Sequence, residues 1–263
     1  MPIIQTENGY IYKKSTKSPR KKRALFFLIL LLANILVVGG IFFAFTKFDF
    51  TQVLGMNRYV VFEGSTYYAV SLKSGESAKE LSTEAESVKA RDGAGFVYFD
   101  GEKYNLIANA YKTFDEANTV AQKQTEYEAA VITIKFVRLV MTATLESEQI
   151  SALKQALHII DEFFDKLQNI ILSFDRAELL DAEVRQKLQI LKEYCQSERE
   201  SFSKALASCS EKIVTYVKIF QTEIVSNISS LVLSKNLSSD MKYVLFGTLA
   251  SFENLQKNVK KSS

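Results

Sequence analysis

Thr66-Tyr67-Tyr68-Ala69-Val70-Ser71-Leu72 reads as a β-strand, and the residues around it decide the fold to which it belongs. Aromatic and β-branched residues dominate it, as they do on half-buried pleated surfaces. Alternation places Tyr68, Val70 and Leu72 on one face and Tyr67, Ala69 and Ser71 on the other. Ser77-Ala78-Lys79-Glu80 follows as a capping box, in which the serine takes a free backbone N–H and the glutamate returns one. Ala78, Leu81, Ala85 and Val88 then share one helical face. The helix ends at Arg91-Asp92-Gly93, with Gly93 suited to a left-handed cap.

The same logic extends in both directions. Tyr59-Val60-Val61-Phe62 precedes the first strand across a break at Glu63-Gly64-Ser65. Gly95 to Phe99 is a short strand, and Asp100-Gly101 is a hairpin signal. Lys103 to Ala110 returns as a strand. Thr113-Phe114-Asp115-Glu116 is a second capping box, and Ala117, Val120 and Ala121 give the next helix a small apolar face. A last strand opens at Val131 and extends toward Val140. The order strand, helix, strand, strand, helix, strand predicts a ferredoxin-like α+β domain over residues 59–140, with one antiparallel sheet and both helices on one side. The other sheet face is expected to be open, and its aromatic and short polar residues suit a binding surface.

Residues 60–137 resemble the bacterial sporulation-related repeat (SPOR) family. The resemblance rests on Tyr68-Ala69-Val70-Ser71-Leu72, the helix through Ala78, Leu81, Ala85 and Val88, Gly93-Ala94-Gly95, Asp100 to Leu106, and Tyr111 to Ala117. It implies binding of peptidoglycan glycan strands stripped of their peptides, at division or sporulation sites, through the sheet face away from the helices. The candidate glycan contacts are Tyr67, Ser71, Asn105, Asn109 and Tyr111, since tyrosines stack on sugar rings and the polar groups bond hydroxyls. Two positions depart from the family pattern. Ala69 stands where a glutamine is common, and the strand from Tyr104 to Tyr111 has neither the arginine nor the glycine.

Before this domain, residues 24–46 are 23 consecutive uncharged residues, preceded by Lys13, Lys14, Lys17, Arg20, Lys21, Lys22 and Arg23. That length at about 1.5 Å per residue matches a bilayer core of roughly 30 Å, and the charge bias puts residues 1–23 in the cytoplasm. The expectation is a single-pass bacterial cell-membrane protein with a short linker over 47–58 and everything beyond it extracytoplasmic. The bulky end of the run, Phe42-Phe43-Ala44-Phe45, argues against a cleaved signal peptide.

Beyond about residue 145 the texture becomes helical. Ile150, Leu153, Leu157, Ile160, Phe164, Leu167 and Ile171 recur at three and four. A second stripe runs from Val184 through Leu188, Leu191, Cys195, Phe202, Leu206, Cys209 and Ile213 to Ile224, about 60 Å if unbroken. Asp175-Arg176-Ala177-Glu178 is a candidate cap for that helix. A last helix carries Met241, Leu245, Leu249, Phe252 and Val259. The expectation is an antiparallel helical bundle or coiled coil of about three helices over 145–263, binding partners or forming homo-oligomers.

The net charge of +3 gives no case for nucleic acid, because the positive charge lies in the first 23 residues. His158 is the only histidine and lacks cysteine at ligand spacing. Asp161, Glu162, Asp165, Glu178 and Asp181 lie on ordinary polar helix faces, and glycan hydrolysis needs two carboxylates across a cleft. Phosphate-loop, nucleophile-elbow and metalloprotease motifs are absent from the sequence. Cys195 and Cys209 on one apolar stripe read as core thiols. The sequence thus predicts a non-enzymatic protein without cofactor or metal. Two readings stand: a membrane-anchored peptidoglycan binder, or a membrane-anchored scaffold whose helices bind envelope or division proteins.

Overall fold

The computed structural model describes residues 58–62, 64–143 and 145–262, and its first strand departs from the main sheet. Strand β1 (Arg58–Phe62) pairs antiparallel with β6 (Leu139–Ala143) in a two-stranded sheet of their own. Strand β2 (Thr66–Gly75) pairs with β5 (Ala130–Lys135), from Thr66 opposite Lys135 to Ser71 opposite Ala130. The two pairings are one long ribbon with a kink between them. Gly64 makes the kink: its φ is +81°, and a Cβ there would stand 2.4 Å from the Phe136 carbonyl oxygen. Only glycine fits that conformation and that approach. The single last strand expected from Val131 to Val140 is therefore two, divided where Phe136 N–H donates to Ser65 O at 2.8 Å.

The larger sheet has the order β3-β4-β2-β5, with β3 spanning Phe96–Phe99 and β4 Tyr104–Tyr111, and its neighbours are antiparallel. Asp100 turns the β3–β4 hairpin, its Oδ1 accepting the N–H groups of Glu102 and Lys103 at 2.8 and 2.9 Å. Those donors hold the Asp100 carboxyl below the usual carboxylate range. Helices α1 (Ala78–Lys89) and α2 (Phe114–Gln122) start where Ser77 Oγ and Thr113 Oγ1 accept the N–H groups of Glu80 and Glu116. Both pack on one face, where Val70, Leu72, Leu106 and Tyr111 meet Leu81, Ala85, Val88, Ala117 and Ala121. The left-handed residue ending α1 is Asp92 (φ 63°) rather than the expected Gly93. Gly93 answers a different need, since a Cβ there would lie 2.5 Å from Val88 Cγ1.

Four helices follow: α3 (Ser147–Asp175), α4 (Asp181–Ala205), α5 (Lys212–Val232) and α6 (Leu237–Ser262). The stripe expected to run unbroken from Val184 to Ile224 is interrupted after Leu206, the cap of α4. Lys218 Nζ reaches back to bond Leu206 O at 3.3 Å, and a serine-flanked turn through Cys209 leads to α5. Ser208 and Ser210 compete for backbone hydrogen bonds and so weaken helix continuation. The far end of α5 is closed by Arg185, which donates to Val232 O and Ser234 O at 2.6 and 2.8 Å. Helix α4 begins after Leu180, whose N–H is taken by Glu183, and not at the expected cap beginning with Asp175, which is still within α3.

The second face of the larger sheet is covered. Tyr67, Ala69, Ile107, Ala110, Ile134 and Phe136 join one core with Phe163, Phe164, Phe246 and Phe252 of α3 and α6. Tyr67 stacks at 4.5 Å from Phe164, and Phe96 at 5.1 Å from Phe246. Phe252 touches Phe62, Phe136 and Phe220 at 5.3, 4.9 and 5.3 Å, joining three parts of the chain; truncating such a ring costs about 3–5 kcal/mol. Residues 57–263 are accordingly one compact unit. The apolar stripes of the bundle are buried against one another and against the sheet.

The expected basic segment and membrane helix, residues 1–23 and 24–46, lie outside the described residues. Among the described residues no helix is long and apolar enough to cross a membrane. For the described residues, the expected membrane-anchored architecture is corrected to six helices with two small open sheets, none of those helices being membrane-spanning.

Candidate functional site

The five residues expected to face glycan are all buried, and they fall into three separate settings. Tyr67 is 0% exposed, and its hydroxyl donates to Asp161 Oδ1 at 2.5 Å across the boundary between sheet and α3. Burial, and then that carboxylate, push the phenol far above its ordinary range. Ser71 and Asn105 belong to a hairpin lock. Ser71 Oγ and Ser74 Oγ donate to Asn105 Oδ1 at 3.2 and 2.8 Å, and Asn105 Nδ2 donates to Asp100 Oδ2 at 2.8 Å. Asn109 and Tyr111 come together, with Asn109 Nδ2 donating to the Tyr111 hydroxyl at 3.1 Å. The sheet face that was to be open is roofed by α3 and α6, so it offers no extended surface to a glycan strand.

Asn109 and Tyr111 instead line a cavity of about 720 Å³ where the ends of several elements meet. Leu72 and Ala108 form its floor with them. Val88 and Arg91 come from the end of α1, Val120 and Lys123 from the end of α2, and Leu172, Asp175 and Arg176 from the end of α3. A smaller hollow of about 330 Å³ adjoins it and shares Tyr111, Val120, Leu172 and Arg176. The groove is thus apolar at its base and charged at its rim.

Its electrostatics follow from the helices. Three helix C-termini converge here, and their free carbonyls favour positive charge. Arg91, Lys123 and Arg176 each stand one or two residues beyond such an end. Lys242 crosses from α6 as a buried clasp. Its Nζ donates to Asp92 O at 2.8 Å and to Ser238 Oγ at 2.9 Å, and it pairs with Asp175 at 2.8 Å. Arg91 pairs with Glu126 and bonds Ser87 Oγ at 3.0 Å and the Tyr127 hydroxyl at 3.3 Å. The Glu126 carboxylate holds the Arg91 guanidinium above its ordinary range. Arg176 lies 3.9 Å from Glu178, and Lys123 makes no ion pair among the described residues. The rim therefore combines three acidic residues, Asp92, Glu126 and Asp175, the last two tied by Arg91 and Lys242, with a lysine, Lys123, that makes no ion pair among the described residues.

Sequence reading reached Asn109 and Tyr111 but not the groove. Leu172 and Lys242 come from helices 61 and 131 residues beyond Tyr111, and no local signal joins them to it. His158 is exposed, and its ring packs 6.3 Å from Phe62. Among the described residues no group of three or more His, Cys, Asp or Glu is placed to hold a metal ion. Asp161 serves Tyr67, Glu162 pairs with Lys166 and Asp165 with Lys112, so the polar residues of α3 are in structural contacts.

No family model matches this chain, and no curated protein or solved structure matches it. The resemblance to the SPOR family is corrected on that finding, and with it the assignments to peptidoglycan, division and sporulation. The covered sheet face is the physical counterpart of the correction. For the scaffold reading in its membrane-anchored form, the described helices supply no spanning segment.

Proposed function

We propose that this chain is a non-enzymatic binding module whose groove at the converging helix ends takes an acidic, amphiphilic small molecule. The apolar body lies on Leu72, Val88, Ala108, Val120 and Leu172, and the acidic group faces Lys123 and Arg176. One observation carries the reading: a cavity of about 720 Å³ has an apolar base and a rim where Lys123 makes no ion pair among the described residues. Its size falls within the roughly 300–1,000 Å³ of small-molecule sites, which share this apolar lining with a few convergent polar groups. Two of the groove's three carboxylates, Asp175 and Glu126, are engaged by Lys242 and Arg91, an arrangement that favours holding a ligand over moving protons.

The test is a fluorescence titration of the full chain with 8-anilinonaphthalene-1-sulfonate, an apolar dye bearing one negative charge. Reversing Lys123 and Arg176 together to glutamate is expected to weaken binding about tenfold, which is about 1.4 kcal/mol. The neutral dye N-phenyl-1-naphthylamine is expected to bind both proteins equally. Unchanged binding of the anionic dye by the double variant, with its circular dichroism intact, refutes the proposal.

A further inference from the structure

We infer that a second groove, between α3 and α4, docks an acidic amphipathic helix of a partner protein. The two helices run antiparallel, since Gln155 bonds Glu198 at 2.8 Å and Tyr194 bonds Glu162. Between them lies a cavity of about 500 Å³ whose lining includes Lys166, Ile170, Lys187, Ile190, Leu191 and Tyr194. The α4 residues fall at i, i+3, i+4 and i+7, the spacing of a single helical face. Ile170 and Leu191 form a buried floor, while Ile190 is 59% exposed as an apolar wall.

The charges choose the occupant. Lys166 stands at one end of the groove, its Nζ 4.4 Å from the Tyr194 ring centroid. Lys187 stands at the other end, seven residues before Tyr194 and therefore about 10 Å away along the axis. No carboxylate lines the cavity. Lys187 has no ion pair among the described residues, and the Lys166–Glu162 pair at 3.2 Å is an exposed i,i+4 contact of small energy. An occupant that satisfies both ends carries carboxylates about two helical turns apart with apolar residues between them. This is the helix-in-groove mode of recognition, with charge setting its specificity. The chain's own residues 1–23 carry Lys13, Lys14, Lys17, Arg20, Lys21, Lys22 and Arg23, the wrong sign for these lysines. The complementary segment therefore belongs to another protein.

Fluorescence anisotropy with the full chain tests this. The probe is a labelled three-turn peptide with two glutamates seven residues apart and leucines at the third and fourth positions between them. Its counterpart has lysine at both glutamate positions. The acidic peptide is expected to bind at least tenfold tighter than its counterpart, with the difference shrinking as salt rises. Ile190→Asp and Lys187→Glu should each weaken it at least tenfold, and Lys187→Glu should also narrow the preference between the peptides. Both positions are exposed, so circular dichroism should remain unchanged. Equal affinity for the two peptides, absence of saturable binding, or indifference to Ile190→Asp overturns the inference. So does sedimentation that finds the chain self-associated and Ile190→Asp abolishing that association, because the groove then belongs to a second copy.

Discussion

Replacing Tyr67 by phenylalanine separates the hydrogen bond that ties sheet to bundle from the ring that packs beside it. The ring keeps its place between Phe136 and Phe164, at 5.5 and 4.5 Å, so the change opens no cavity. What is lost is the bond to Asp161 Oδ1 at 2.5 Å. Bonds to charged groups are worth about 1.5–3 kcal/mol, and Asp161 is only half-buried, so water recovers part of the loss. The expected cost near pH 7 is about 1.5 kcal/mol, or a Tm lower by roughly 3–6 °C for a unit of this size. The sign then works in the opposite direction at high pH. The folded phenol is raised far above its ordinary value of about 10, mainly by burial, so it stays protonated while the unfolded chain ionises. Stability from Tyr67 is therefore full below pH 10 and is lost above it, by about 1.4 kcal/mol at pH 11. Phenylalanine has no proton to lose. Urea unfolding of both proteins at pH 7, 9 and 11 should show a gap that closes almost completely at pH 11. Tyr98 and Tyr194, also raised mainly by burial, act on both proteins alike and cancel. A gap that stays constant or widens refutes the reasoning.

Gly64→Ala should cost at least about 2 kcal/mol in urea unfolding, because it adds a left-handed strain to a contact with the Phe136 carbonyl; a neutral result excludes the proposed kink. Arg185→Ala should cost about 1–2 kcal/mol and raise amide hydrogen exchange at the end of α5, since Val232 O and Ser234 O lose their donor. In thiol labelling followed by mass spectrometry at pH 8, Cys209 should react first. Cys195 is 1% exposed, and burial pushes its thiol up to about 12, so it should react only on unfolding; equal rates contradict that burial.

Local chemistry was legible in the sequence, and contacts between distant segments were not. Ser77 and Thr113 mark helix starts because the groups they bond lie within one turn. The division of β2 into a face with Val70 and Leu72 and a face with Tyr67 and Ala69 follows from pleating alone. What covers each face does not. Tyr67 looks equally suited to a sugar or to a core, and Phe164, which decides between them, lies 97 residues later. The break after Leu206 escaped detection because Leu206, Cys209 and Ile213 keep the three-and-four rhythm through a turn. The groove was hidden for a related reason: Lys123 carries no local signal, Arg176 falls in the expected cap from Asp175 to Glu178, and only folding brings them beside Leu72 and Ala108.

The covered face of the sheet also sets a schedule for the ribosome. Synthesis completes β6 at Ala143, but Phe246 and Phe252 of the covering helix come about a hundred residues later. At about 5–20 residues per second, α3 follows within a few seconds, but the Tyr67 side of the sheet waits roughly 5–20 s for the α6 part of its cover. During that interval Tyr67, Ile107, Ile134 and Phe136 have no α6 to meet, and a chaperone that shields apolar strands has its longest opportunity. The nascent chain, more than the finished protein, is the form of this molecule most exposed to aggregation.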